Sequence, residues 1–152
     1  MSSRASELAA NVIPASLAVT DVERDAILEI AYLAVAADHK LSSEELDAMR
    51  RIGARLHGKP TLTDDELDEL LGKYAQWLDR EEVEQRLRDL GGKLSPVTRK
   101  LAYKVAYTLA MCDLESSDEE FEFDLQLIEA LELSANEASI LAEQVQKILQ
   151  GD

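Results

Sequence analysis

The chain has 152 residues, 46% of them apolar, enough to bury one core of ordinary size and too apolar for wholesale disorder. Asp and Glu total 31 against 16 Lys and Arg, a formal charge of −15 that repels phosphate backbones and anionic lipid headgroups. Nucleic-acid binding and polybasic membrane docking are therefore disfavoured. The single cysteine, Cys112, forms no internal disulfide, and no apolar run approaches the roughly 18 residues of a membrane span. The opening MSSRASELAANVIPASL lacks the long apolar stretch of a signal peptide. The expectation is a cytoplasmic protein with no direct membrane insertion.

Taken in chain order, residues 1–19 read as a separate N-terminal segment, a short helix or a frayed end, interrupted by Pro14. Residues 20–152 read as one helical domain. Thr20 with Glu23 has the spacing of a capping box, in which a hydroxyl accepts from an amide three residues on and the Glu reaches back. The helix it opens runs from about Val22 to Asp38, with Ala26, Ile27, Ile30, Ala31, Leu33, Ala34 and Ala37 inward. Ser42 with Glu45 opens a second, to about Leu56, which Gly58 and Pro60 close. Thr63 with Glu66 opens a third, to about Leu78. A looser Asp79–Glu82 pair opens a fourth, to about Leu90, which Gly91 and Gly92 stop. Ser95 before Pro96 starts a fifth, to about Asp113. Ser117 with Glu120 and Ser134 with Glu137 open the last two, to about Leu131 and Gln150. No stretch alternates with period two, so the fold class is all-α: a bundle of about seven helices.

Sliding the chain along itself by 75 residues lays AYLAVAADHKLSSEEL (31–46) over AYTLAMCDLESSDEEF (106–121) without a gap. The repeated unit is an apolar helix ending at Asp, a short linker, a Ser cap and a second helix opening with acids. The bundle is thus built on a duplicated helix–loop–helix, its halves covering about 22–57 and 96–133.

The repeat presents Asp38 and Glu45 in one loop and Asp113 and Glu120 in the other. A carboxylate at a helix C-terminus opposes the dipole, so something must offset it. Two readings compete for these atoms. One is an Asx-type turn that satisfies linker amides. The other is a divalent cation (Ca²⁺, Mg²⁺ or Mn²⁺) shared by Asp38, Glu45, Asp113 and Glu120 across a pseudo-twofold axis. An EF-hand does not fit, because Asp118 stands where the turn glycine belongs and Asp124 where the final Glu belongs. His39 lacks a second histidine at ligand spacing, His57 reads as a helix C-terminal cation, and Cys112 aligns with core Ala37. Tyr32 and Tyr107 repeat as hairpin-closing rings, and Trp77 reads as core or rim packing. No nucleophile, base or phosphate-loop arrangement emerges, so an enzyme is not expected.

The doubled Ala31/Ala106, Asp38/Asp113 and Glu45/Glu120 pattern in a small acidic helical chain resembles the tellurite-resistance TerB family. The N-terminal domain of the membrane-anchored co-chaperone DjlA is a relative of that family. The likeness spans about Thr20 to Leu149, with His39 and Leu114 where the family has glycine. It implies a non-enzymatic accessory protein of tellurite or metal stress response. Such a protein would bind a divalent cation through the acidic loops, or dock a basic or membrane-associated partner there. It would reach the inner membrane only through partners. The alternative is a protein–protein interaction module with no metal.

Overall fold

The computed structural model describes residues 12–13, 19–36, 43–58, 62–75, 80–112 and 125–149. Every regular element of any length among them is a helix, and there are seven. In chain order they are α1 (Asp21–Ala36), α2 (Ser43–His57), α3 (Asp64–Ala75), α4 (Arg80–Gly91), α5 (Pro96–Cys112), α6 (residues 125–130) and α7 (Ala135–Leu149). The caps explain the starts. In α1 the Glu23 amide donates to Thr20 Oγ1 at 3.1 Å, and the Thr20 amide donates to Glu23 Oε1 at 3.2 Å. The same reciprocal pair opens α3 through Thr63 and Glu66, and α7 through Ser134 and Glu137. The boxes at Ser42–Glu45 and Ser117–Glu120 lie outside the described residues, as does Asp79–Glu82.

Helix ends follow two mechanisms. Gly58 takes φ 69° after α2, the left-handed conformation that glycine adopts without a Cβ penalty. After α6 the same conformation falls on Glu132, at φ 57°. There the Leu133 amide donates to the Ile128 carbonyl at 3.0 Å and the Glu132 amide to the Glu129 carbonyl at 3.1 Å, a Schellman ending on a non-glycine residue.

α1 and α5 form the centre. Ala26, Ile27, Leu28, Ile30, Ala31 and Leu33 are buried around the whole circumference of α1, not on one stripe. The sequence reading of an inward face misses Leu28 for that reason. In α5, Leu101, Ala102, Tyr103, Val105, Ala106 and Leu109 are buried, while Val97 and Lys100 stay exposed on the opposite side. The α1–α5 contact is the largest between any two helices. Around the pair, α2 contributes Ala48, Met49, Ile52 and Leu56, α3 contributes Leu67, α4 contributes Leu87 and Leu90, and α7 contributes Ala138, Leu141 and Val145. Burying each large side chain of this set contributes about 1.5–3 kcal/mol. Val12 and Ile13, within the segment the sequence sets apart, are also in the core, and Arg55 Nε of α2 donates to the Ile13 carbonyl at 2.7 Å.

Candidate functional site

The four carboxylates singled out in the sequence fall where little is described. Asp38, Asp113 and Glu120 lie outside the described residues. Glu45 sits in the first turn of α2, and its side chain is outside them as well. His39 and Trp77 are likewise outside, and Cys112 is the last residue of α5. Among the described residues no group of three or more His, Cys, Asp or Glu is arranged to hold a metal. What the structure does define is the pair of helices, α1 and α5, that precede the two acidic segments in the sequence.

That pair is joined at the start of the two helices. Ser95 caps α5 by accepting from the Thr98 amide at 3.3 Å, as Thr20 caps α1. The two caps are 75 residues apart, so the repeat reaches further upstream than its identical residues indicate. Glu23 then joins the two helices. Its Oε2 accepts from the Thr98 hydroxyl at 2.7 Å and from the Ser95 amide at 3.4 Å, while Oε1 serves Thr20. Glu23 and Thr98 are repeat mates in contact with each other, which is the signature of a pseudo-twofold axis passing between them. These hydrogen bonds, Thr98's first, hold the Glu23 carboxyl below the usual glutamate range. α1 and α5 therefore start side by side and run the same way, over 16 and 17 residues. Their last residues, Ala36 and Cys112, lie in the same half of the molecule.

A second polar feature crosses the core. Glu29 of α1 is 4% exposed, and Arg86 of α4 grips it with Nε at 2.5 Å and Nη2 at 2.8 Å. The fork supplies the paired hydrogen bonds a buried carboxylate requires, and the Glu29 hydrogen bond raises the Arg86 pKa. Beside it Asp25 meets Lys73 of α3 at 3.8 Å.

A third helix packs on each central helix, in opposite senses: Lys73, in the last turn of α3, meets Asp25 near the start of α1, whereas Glu137, in the first turn of α7, meets Lys100 near the start of α5. α3 and α7 each begin with a Thr/Ser–Glu capping box, and each packs on its own central helix. Between α5 and α7 lies a groove of about 370 Å³ lined by Val97, Leu101, Ile140 and Leu141, with Lys100 and Lys104 among its walls. Val97 is 64% exposed and Ile140 47%, large apolar side chains left open to water. Lys100 Nζ is 3.7 Å from Glu137. Lys104 has no carboxylate partner among the described residues, and burial lowers its pKa.

Three features here escape a sequence reading: the Glu23–Thr98 junction, the Glu29–Arg86 pair and Lys104. Carrying the 75-residue alignment back to the starts of the same two helices sets Thr20 on Ser95, Glu23 on Thr98 and Glu29 on Lys104, a signal that bears on the first and third. Nothing in the sequence pairs Glu29 with Arg86, 57 residues away. No helix among the described residues is long and apolar enough to cross a membrane. Comparison of the chain with protein-family models, curated proteins and solved structures yields no match.

Proposed function

We propose that the chain is a non-enzymatic accessory protein of the TerB type, acting in tellurite or metal stress by binding a divalent cation through its duplicated acidic loops. Asp38 and Glu45 would supply one half of the ligand set, Asp113 and Glu120 the other. Hard carboxylate oxygens of this number suit Ca²⁺, Mg²⁺ or Mn²⁺. The observation that supports this reading is the Glu23–Thr98 junction, because it joins the starts of the two repeat helices, α1 and α5, that precede the two acidic segments. Loops leaving opposite ends would make a shared ion geometrically impossible. The charge of −15 favours cation entry and, after binding, a basic partner in the cytoplasm or at the inner membrane surface.

Thermal melting of chelator-treated protein tests the ion. A bound cation stabilises by about 2.7 kcal/mol at a hundredfold excess over Kd. Because any salt screens self-repulsion in so acidic a chain, each divalent titration is matched in ionic strength with NaCl. The expected result is a rise in Tm with one divalent ion beyond the NaCl control, absent in an Asp38→Asn, Asp113→Asn variant. Equal shifts in wild type and variant refute the shared site.

The alternative is an interaction module without metal, and the open groove between α5 and α7 favours it. It expects the double variant to retain its partner in a pull-down.

A further inference from the structure

The groove between α5 and α7 holds two amines in different company. Val97, Lys100, Leu101 and Lys104 follow one another at i, i+3, i+4 and i+7 along its α5 wall, and Ile140 and Leu141 line the α7 wall. The two helices run the same way: Lys100 meets Glu137 near their starts, and Gln146 Nε2 donates to the Tyr107 hydroxyl at 2.9 Å further along. Leu101 and Leu141 are buried and form the floor, while Val97 and Ile140 stand exposed at the rim. A volume of about 370 Å³ with an apolar floor and few polar groups has the character of a small-molecule site. Lys100 is exposed and lies 3.7 Å from Glu137. Lys104, one turn on, is half-buried and has no carboxylate partner among the described residues. Burial lowers its pKa, so more of it is the neutral, nucleophilic amine than in a solvated lysine.

We infer that the groove is a reversible covalent capture site for a medium-chain aliphatic aldehyde, which forms an imine with Lys104 while its chain lies along the apolar floor and rim. The Nζ lone pair attacks the carbonyl carbon and a C–N bond forms. Two hydrogens of the amine leave with the carbonyl oxygen as water, and a C=N bond remains. Nothing is oxidised or reduced, and water reverses the step. An uncharged ligand suits the site. A carboxylate would share the groove with Glu137, a like charge, whereas an aldehyde brings no charge to desolvate beside Leu101 and Leu141. The bond supplies attachment and the chain supplies selectivity, because a short aldehyde makes the same bond without covering Val97 and Ile140. The site shares no residue with Asp38, Glu45, Asp113 or Glu120, so it neither requires nor excludes a cation there.

The full chain is incubated with hexanal or acetaldehyde, imines are trapped as secondary amines with cyanoborohydride, and adducts are located by peptide mass spectrometry. Exposed Lys93 serves as the internal reference. Relative to Lys93, Lys104 is expected to react at least about tenfold more readily with hexanal than with acetaldehyde, since only the longer chain is buried. Hexanol, which fills the same space and forms no imine, is expected to protect Lys104 and leave Lys93 unchanged. A Val97→Ser, Ile140→Ser chain, checked for an unaltered circular dichroism spectrum and melt, is expected to lose the hexanal preference and keep acetaldehyde labelling of Lys104. Hexanal labelling of Lys104 no faster than that of Lys93 overturns the assignment. So does a lack of protection by hexanol in the wild-type chain, which needs no variant to fold, or a preference that survives in the rim variant.

Discussion

Glu23 does three jobs with one carboxylate: it closes the α1 cap, accepts the Thr98 hydroxyl and accepts the Ser95 amide. Glu23→Gln is expected to lower stability by about 1 kcal/mol at neutral pH, measured by urea unfolding. The pH dependence has a definite sign. Folding depresses the Glu23 pKa, so its contribution is complete above the unfolded value of about 4.3 and disappears as pH falls through the folded value. The gap between wild type and Glu23→Gln is therefore expected to narrow as unfolding is repeated from about pH 6 down to about pH 3. Glu29 is a different case, because its cost is that of a buried charge left alone. Removing only its partner, with Arg86→Met, is expected to destabilise by about 3 kcal/mol, whereas Glu29→Met with Arg86→Met recovers much of that loss. A double variant no more stable than Arg86→Met would show that packing, not charge, makes the α1–α4 joint.

At the scale of elements, the ends of α4 and α6 meet the start of α5. A Cβ at Gly91 would stand 2.7 Å from the Ala130 carbonyl oxygen, backbone that has no side-chain freedom with which to yield. Gly91→Ala is expected to cost about 1–3 kcal/mol in denaturant unfolding, although alanine is the better helix former. Arg99 ties this corner together, donating through Nε to the Gly91 carbonyl at 3.1 Å and through Nη1 to Glu132 at 2.8 Å. Glu132 itself is strained by its φ of 57°. Glu132→Gly relieves the left-handed penalty and forfeits only an exposed ion pair. A gain of up to about 1 kcal/mol is the expected outcome, read as a rise in Tm. Gly91 and Gly92 are legible as a stop signal in the sequence, but the close approach to Ala130 is not, since it depends on where α6 is packed.

At the scale of the molecule, the α1–α5 pair is the hub of the described helices: α2, α3 and α4 pack on α1, and α2 and α7 pack on α5. A polar residue in the middle of a central helix must bring its own partner, and Glu29 does so through α4. Lys104, its mate, has no carboxylate partner among the described residues. The charge of −15 acts on the whole chain as self-repulsion. Adding NaCl without any divalent ion is expected to raise Tm progressively, and a flat response would show that the excess acids lie too far apart to repel one another measurably.

The sequence by itself determined the helical class, the three capping boxes seen at α1, α3 and α7, the glycine stop after α2 and the duplication. Each of these is a local matter of hydrogen-bond donors within one turn or of apolar periodicity along one rod. Only the tertiary structure decided that α1 and α5 begin at one shared carboxylate, that Glu29 belongs to Arg86, and that Lys104 has no such partner among the described residues. Those facts arise from side chains tens of residues apart along the chain. Which of them meet is set by how apolar helices cover one another, and a pattern within a single helix carries no information about its neighbour.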